Sequence, residues 1–369
     1  MEKFLELEDF MKKGFKIFLK VLLVIIILIT IFILINFIIH KIKSKNEYTE
    51  LNNLGYINKY SAGDYNLNIY RIGNKDSKYK LIALSGLGIN DYSVQMAFVN
   101  EQIKDDYEII YIDRAGYGYS DDTSTKQTVE QIVSDYRTAL KNANITGEYI
   151  LLPHSLGGVY ATYWESMYPD EIKGVIFVDT SELGLDIWDE TEYGVSIYEY
   201  LELFACNLGL QRIVLENYFY PLPSYYSKEN QQISTYLNTH SAINKAKISE
   251  IEEINNNTNK AYNNIISNDI PKIYITSKGF RTIDDLKENI EWINDRQKEL
   301  GLEISPMPSD EILEDTIKEA IKWEEEKIKP YTDLLGNTEI VLLPGDHMIF
   351  QQKPNELAQI IRNFVISLD

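Results

Sequence analysis

The hydrophobic positions of the chain follow two different patterns, a long apolar run near the N-terminus and an alternation of short runs after it. Residues 21–39 are apolar apart from Thr30 and Asn36, and lysines lie on both sides of the run. A helix rises about 1.5 Å per residue, so this run and the apolar residues before it cross a hydrocarbon core of about 30 Å. The pattern predicts a membrane-spanning segment. The predicted segments are a tail (1–14), a transmembrane helix (15–40) and a polar linker (41–50).

The alternative interpretation of the apolar run is a cleaved signal peptide. Signal peptides have a shorter apolar core and a small-x-small cleavage site, and neither feature fits this segment. More lysines precede the run than follow it, which favours an N-terminus inside the cell. We therefore expect a single-pass protein of the cell membrane whose large C-terminal domain lies outside the cytoplasm.

From residue 51 onward, short apolar runs typical of buried strands alternate with stretches of helical periodicity. This alternation predicts an α/β fold with a mostly parallel, doubly wound sheet that helices cover on both faces. Ligands bind such sheets at the carboxyl ends of the strands, where the glycine-rich turns of this chain fall. Residues 181–268 have no convincing strand and predict an inserted helical cap. The predicted strands are residues 55–60, 66–71, 80–84, 108–112, 148–152, 175–178, 273–276 and 340–343.

Composition narrows the possible functions. The chain has 369 residues, of which 36 are basic and 56 acidic, for a formal net charge of −20. Nucleic-acid binding needs clustered lysine and arginine against the phosphates, so we expect no nucleic-acid partner. A single cysteine, Cys206, excludes an internal disulfide and a cysteine-based zinc site. Four histidines leave little room for a histidine-rich metal site, and we expect neither a metal nor an organic cofactor.

One serine has the surroundings of a nucleophile. Ser155 lies in the sequence His-Ser-Leu-Gly-Gly (154–158), between a predicted strand and a predicted helix. A sharp turn at this place lifts the hydroxyl clear of the backbone, and the helix N-terminus supplies N–H groups and partial positive charge for an oxyanion. Pro153 stands where glycine is usual, two residues before the serine. A Ser/Gly-rich helix entry without chemistry is the alternative.

Four motifs in this order resemble those of the α/β-hydrolase family. They are Ser-Gly-Leu-Gly (85–88), Asp-Arg-Ala-Gly-Tyr-Gly-Tyr-Ser (113–120), the Ser155 segment, and Leu-Pro-Gly-Asp-His (343–347). The resemblance implies an α/β-hydrolase fold whose core covers residues 51–180 and 271–369, with the helical cap over residues 181–270. It also implies serine-hydrolase chemistry at the Ser155 turn.

The same resemblance implies a base and an acid. His347 follows the last predicted strand, where the family places the general base that takes the proton of the serine. Many relatives place the acid after the seventh strand, where this chain has no carboxylate; others place it after the sixth, where Asp179 lies. We favour Asp179. Asp284 and Asp285, which also fit the first turn of a helix, and Glu182 remain alternatives.

The resemblance assigns the oxyanion hole to two backbone N–H groups. One belongs to Leu156, the residue after the nucleophile, and the other to Leu87 in the loop after the third predicted strand. Ser85 stands where the family usually has histidine, which changes the support of this loop and leaves the backbone donor. His154 is next to the nucleophile on a tight turn, so we expect it to shape the pocket and not to act as the base.

The serine also limits the reaction. Dehalogenases and epoxide hydrolases of this fold have an aspartate at this place, so Ser155 implies cleavage of an ester, thioester or amide, or acyl transfer. We expect a membrane-anchored serine hydrolase that acts on small-molecule or lipid-like carboxylic esters. The alternatives are a proline-type aminopeptidase, whose substrate amine would need cap carboxylates, and a catalytically silent binding module. The candidate carboxylates are Glu190, Glu192, Glu199 and Glu202, and the cap aromatics that suggest an apolar acyl site are Trp188, Tyr193, Tyr198, Phe204, Tyr218, Phe219, Tyr220, Tyr225 and Tyr226.

Overall fold

An eight-stranded sheet organises the computed structural model, which describes residues 2–184, 194–213 and 222–369. The strand order is β1-β2-β4-β3-β5-β6-β7-β8. The pairs β1–β2 and β2–β4 are antiparallel, and all other pairs are parallel. The predicted α/β architecture is therefore confirmed. The strands are β1 (Lys59–Ser61), β2 (Asn66–Gly73), β3 (Lys80–Leu84), β4 (Glu108–Ile112), β5 (Tyr149–Pro153), β6 (Ile172–Val178), β7 (Asn268–Thr276) and β8 (Gly336–Leu342).

Helices cover both faces of the sheet because successive side chains of each strand point to opposite sides. In β3, Ile82 and Leu84 belong to one buried cluster with residues of α4 and α5, whereas Leu81 and Ala83 belong to another with residues of α3 and α13. The described helices are α1 (Glu2–Asn53), α2 (Tyr92–Gln95), α3 (Ala97–Ile103), α4 (Val129–Asn142), α5 (Gly157–Met167), α6 (Ile197–Asn207), α7 (Lys228–His240), α8 (Lys245–Asn263), α9 (Ile283–Glu299), α10 (Asp310–Trp323), α11 (Lys329–Leu335), α12 (Ile349–Gln352) and α13 (Pro354–Ser367).

Two helical insertions rise from the carboxyl-end side of the fold. The first holds α6, α7 and α8 between β6 and β7, and β7 begins at Asn268, slightly earlier than the predicted cap boundary. The second holds α9, α10 and α11 between β7 and β8 and has its own small core of Phe280, Leu286 and Leu313. The predicted cap residues outside the described part of the chain are Trp188, Glu190, Glu192, Tyr193, Tyr218, Phe219 and Tyr220.

The prediction of a linker over residues 41–50 is wrong, because α1 continues through this segment to Asn53. The end of the helix packs into the domain: Leu51 is fully buried, and the guanidinium of Arg212 donates to both carboxylate oxygens of Glu47 at 2.6 Å. The same guanidinium donates to Ser44 Oγ at 2.9 Å. The polar residues of the segment thus belong to a docked helix, whose buried contacts a sequence pattern does not reveal.

The N-terminal part of α1 is exposed and apolar. Within the described residues, the stretch Phe10–Asn53 is the one helix long and apolar enough to cross a membrane, and none of its most apolar part is buried in the protein. A signal sequence passes the same test of length and composition. One continuous helix therefore joins an unburied apolar run to an end that is packed against the folded domain.

Removing the carboxylate charge of Glu47 should destabilise the domain. Glu47→Gln removes the carboxylate charge that pairs with the buried Arg212 guanidinium, so we expect the free energy of unfolding to fall by about 3 kcal/mol. Asp295→Asn is the control, because the Lys298–Asp295 pair is exposed and its loss should cost less than about 1 kcal/mol. Chemical unfolding of the full chain in detergent measures both changes. Equal effects of the two substitutions would contradict a docked α1 end.

Candidate active site

The backbone at Ser155 makes the sharp turn that the sequence predicts. β5 ends at Pro153 and α5 begins at Gly157, and Ser155 between them has a φ of 52°. This left-handed conformation is uncommon for a residue with a side chain and marks local strain of the kind found at functional sites. The surroundings require glycine: a Cβ on Gly157 would lie 2.4 Å from the Leu84 carbonyl oxygen, and one on Gly86 would lie 2.7 Å from Ser155 Cβ.

The structure brings His347 and Asp179 together. His347 Nδ1 lies 2.6 Å from Asp179 Oδ2, and Asp179 Oδ1 accepts a hydrogen bond from the Ser277 N–H at 2.7 Å. Burial alone would raise the pKa of Asp179, but the hydrogen bonds from His347 and Ser277 outweigh it and lower the pKa below its ordinary value. The carboxylate is therefore ionised at neutral pH. With Nδ1 donating to it, Nε2 is the nitrogen of His347 left for proton transfer.

The alternative acids have other contacts. Asp285 forms a capping box with Thr282 at the start of α9, and Asp284 lies in the first turn of the same helix. Neither makes a hydrogen bond or ion pair with His347 within the described part of the chain. Glu182 Oε1 accepts a hydrogen bond from Trp323 Nε1 at 3.0 Å. Of the four candidates, Asp179 is the carboxylate that contacts the histidine.

His154 supports the loop that carries His347, a role that the sequence analysis did not predict. Its Nε2 lies 3.0 Å from the backbone carbonyl oxygen of His347, so it donates there when Nε2 carries the proton. Burial, followed by the nearby His347, lowers the pKa of His154 to about 3, which keeps the ring neutral. The ring also packs against Tyr92 and Phe350. A contact between residues so distant along the chain leaves no local sequence signal.

The segments that carry Ser155 and His347 are joined through this contact. Because His154 precedes Ser155 and binds the backbone of His347, it holds the two segments side by side. Among the described residues, Ser155 Oγ makes no direct hydrogen bond to the His347 ring. Catalytic hydrogen bonds are often long in unliganded enzymes and tighten only when substrate binds.

Arg114 orients the loop that holds the predicted donor Leu87. Its guanidinium donates to the carbonyl oxygens of Ser85 at 2.5 Å and Gly86 at 2.9 Å. The Gly86 carbonyl and the Leu87 N–H belong to one trans peptide group and point in opposite directions, so Arg114 directs this N–H away from itself. Within the described residues, neither the Leu87 N–H nor the Leu156 N–H donates to another group, which leaves both for a ligand.

A cap helix reaches this loop through Glu250 of α8. The Glu250 carboxylate lies 2.8 Å from Arg114 Nε, and both residues are buried. Tyr117 donates its hydroxyl to Glu250 at 2.5 Å and accepts the Gly88 N–H at 3.2 Å, while Tyr160 of α5 donates to the other carboxylate oxygen. One cap carboxylate thus contacts both residues, Arg114 and Tyr117, that hold the predicted oxyanion loop (residues 85–88). The sequence gives no sign that Glu250 is the partner of Arg114.

A cavity of about 360 Å³ adjoins these loops. It lies against Leu87 and Gly88 on one side and against Asp346 and Met348, the neighbours of His347, on the other. Its volume falls in the range of small-molecule sites, and its lining is both apolar and polar. The remaining lining residues are Ile89, Asp91, Gln95, Leu222, Asn238, Trp292, Ile293, Arg296, Gln297 and Gln351.

The predicted cap aromatics in the described residues do not form a common acyl site. Tyr198 and Phe204 lie on the exposed side of α6, whereas Tyr226 is buried and donates its hydroxyl to the Gln95 carbonyl oxygen at 2.5 Å. Glu199 binds Ser196 at the start of α6, which gives it a capping role.

Comparisons with known proteins agree with the observed fold. A family model described as alpha/beta hydrolase fold matches residues 86–368. The uncharacterized protein YbdG of Bacillus subtilis (strain 168) is 31% identical over 143 residues, which are 39% of this chain and 43% of YbdG. The uncharacterized protein C23C11.06c of Schizosaccharomyces pombe is 31% identical over 115 residues, which are 31% of this chain and 21% of that protein. The chain thus spans less than half the length of these curated relatives.

Solved structures share the fold at low sequence identity. Cfl2 from Burkholderia cenocepacia aligns with a TM-score of 0.55 and 14% identity, covering 83% of this chain and 94% of its own. A candidate lipase, lip1 from Acinetobacter baumannii AYE, aligns with a TM-score of 0.50 and 17% identity, covering 89% of this chain and 96% of the lip1 chain. The epoxide hydrolase CorEH aligns with a TM-score of 0.53 and 15% identity, covering 85% of this chain and 99% of the CorEH chain. With its strand order, its turn at Ser155 and the family model that matches most of its length, the chain belongs to the α/β-hydrolase fold family.

Proposed function

We propose that the protein is a membrane-anchored serine hydrolase that cleaves carboxylic esters through Ser155, His347 and Asp179. The observation that carries the proposal is the 2.6 Å contact between His347 Nδ1 and Asp179 Oδ2, beside a strained serine turn. These groups come from the carboxyl ends of three strands, where open α/β sheets bind their ligands. An ionised acid behind a histidine is the arrangement that makes the histidine a base toward a serine.

In the first half of the proposed reaction, Ser155 Oγ attacks the ester carbonyl carbon while His347 Nε2 takes its proton. The carbonyl oxygen becomes an oxyanion that accepts hydrogen bonds from the Leu87 and Leu156 N–H groups. The ionised Asp179 stabilises the imidazolium that forms. When the tetrahedral intermediate collapses, the bond to the alkoxide breaks, His347 returns the proton to the leaving oxygen, and an acyl-enzyme remains.

In the second half, water replaces the alcohol and His347 again takes a proton. The hydroxide formed in this step attacks the acyl carbon, the bond to Ser155 Oγ breaks, and the serine recovers its proton from His347. A carboxylic acid leaves, and the protein's own groups are restored. The chemistry uses side chains and backbone donors of this chain alone.

The cavity beside the loops, lined by Leu87 and by the neighbours of His347, suggests the size of the substrate. Its volume of about 360 Å³ suits a short or medium-sized acyl or alcohol group, and its mixed lining accommodates hydrogen-bonding groups as well as hydrocarbon. A retained α1 would hold this cavity near a bilayer, where lipid-like esters occur. The continuity of α1 from the apolar run into its docked end supports an uncleaved anchor. The larger number of lysines before the apolar run favours a domain outside the cytoplasm.

One observation favours a second candidate, a catalytically silent binding module. In the described residues the Ser155 hydroxyl has no direct hydrogen bond to His347, as it would need for activation. The proline-type aminopeptidase has less support, since Glu199, one of its candidate cap carboxylates, binds the N-terminus of its own helix.

Replacement of the proposed nucleophile distinguishes the serine hydrolase from the silent binding module. Ser155→Ala should abolish labelling by a fluorophosphonate probe and lower p-nitrophenyl butyrate hydrolysis by at least about 10³-fold. Ser305→Ala, at an exposed loop position, should leave both unchanged. A folded wild-type protein that neither reacts with the probe nor hydrolyses the ester would favour the silent module.

Substitution of the acid tests its identity. Asp179→Asn cannot stabilise the imidazolium and favours the wrong tautomer of His347, so kcat should fall by about 10³- to 10⁴-fold. Asp285→Asn removes the alternative acid and should leave kcat near the wild-type value, with a small loss of stability from the weakened cap of α9. If Asp285→Asn lowers kcat more than Asp179→Asn does in steady-state assays, the acid is Asp285.

Arg114→Lys tests the support of the oxyanion loop. A lysine ammonium can pair with Glu250 but cannot reproduce the planar fork that holds two carbonyl oxygens, so the Leu87 N–H should lose its alignment. We expect kcat to fall by about 10- to 100-fold with KM little changed. Arg212→Lys, in a second buried Arg–Glu pair, is the matched control and should leave kcat unchanged. Equal losses in the two variants would mean that Arg114 contributes only to stability.

A further inference from the structure

Helix α6 presents an apolar face to the outside of the domain. Ile197, Leu201 and Phe204 follow one another at helical spacing and are 66%, 57% and 65% exposed. Tyr198 and Tyr200 flank them, and both are exposed as well. We call these five residues the α6 face. Soluble domains rarely leave a contiguous patch of large apolar side chains in water, so this face is expected to have a partner.

The C-terminal end of α6 lies beside the point where α1 leaves its apolar run. Gly209, two residues after α6, packs against His40 so closely that a Cβ on it would lie 2.5 Å from His40 Cβ. Arg212 Nε donates to His40 Nδ1 at 3.0 Å. His40 directly follows the apolar residues 21–39. If α1 spans a membrane, the end of α6 is therefore at the level of the lipid headgroups.

The chemistry of the α6 face fits a lipid surface. Large aliphatic and aromatic side chains flanked by tyrosines are typical of helices that lie in the membrane interface. The helix contains Glu199 and Glu202 but no lysine or arginine, so its attraction to a bilayer must be hydrophobic and independent of anionic lipid. The basic residues at this boundary, Lys41 and Lys43, belong to α1.

We propose that the α6 face lies in the interfacial layer of the same bilayer that α1 spans. The domain then contacts the membrane at two places, through the anchor and through the cap. The inference rests on the membrane anchoring in the proposed function. Because α6 belongs to the same insertion as α8, which carries Glu250, membrane contact would hold the cap in place above the oxyanion loop.

Site-specific fluorescence in lipid nanodiscs tests the proposal with the full chain. Replacing the single cysteine by Cys206→Ser allows one environment-sensitive nitrobenzoxadiazole label to be placed by Leu201→Cys on the α6 face. Leu302→Cys is the matched control, because Leu302 is exposed to a similar degree outside the cap. Ile31→Cys, in the apolar run of α1, reports the membrane anchoring itself. The quenchers are two phosphatidylcholines, one with a headgroup-proximal nitroxide for the labels at 201 and 302, and one with a nitroxide deep in the acyl chain for the label at 31.

We expect the label at position 201 to emit at shorter wavelength than the label at 302 and to lose at least half of its intensity to the nitroxide lipid. The result should be the same in neutral and in anionic nanodiscs. If the labels at 201 and 302 have the same emission wavelength and the same quenching while the label at 31 is quenched, α1 spans the membrane but the proposal for the α6 face is wrong. A blue-shifted but unquenched label at 201 would mean that protein, such as a second copy, covers the face. An unquenched label at 31 would overturn both the anchoring and this inference.

Discussion

The hydrogen bond between Asp179 and His347 is the interaction on which the proposed site depends. A buried carboxylate is unfavourable unless charged partners and hydrogen bonds replace the lost water, and here His347 Nδ1 and the Ser277 N–H do so. The sheet makes these contacts possible. Val178 pairs with Ile275, and Thr276 pairs with Leu342, so β6, β7 and β8 end at the same edge. The acid, its backbone donor and the histidine loop follow these three strand ends.

The proposed catalytic residues have signals in the sequence that their supports lack. Ser155, Asp179 and His347 follow predicted strands, whose carboxyl ends a parallel sheet gathers at one edge, and the resemblance to the family assigns their roles. The segment after β7 has no carboxylate, and it contributes to the site in another way. Its Ser277 donates a backbone N–H to the carboxylate of Asp179, which follows β6. By contrast, the contacts of His154 with the His347 backbone and of Glu250 with Arg114 join distant segments and leave no local pattern.

The misassigned linker has a similar explanation. Residues 41–50 are polar and lack strong periodicity, which is typical of a linker, yet α1 continues through them because Glu47 and Leu51 find partners in the folded domain. Leu51 packs in a cluster with Leu237 of α7, and Arg212 follows α6, so the cap binds the C-terminal end of α1. The same insertion supplies Glu250 to the loop of residues 85–88 through Arg114 and Tyr117. The cap thus makes buried contacts with both α1 and this loop.

We propose that Ser155, His347 and Asp179 act as one unit beside the oxyanion loop. A crystal structure of the protein after reaction with an alkyl fluorophosphonate tests this proposal most directly, because the adduct resembles the tetrahedral intermediate. We expect phosphorus bound to Ser155 Oγ, with the phosphonyl oxygen about 2.7–3.1 Å from the Leu87 and Leu156 nitrogens and His347 still bound to Asp179. An adduct on another residue, or a phosphonyl oxygen turned away from both nitrogens, would contradict the proposed triad.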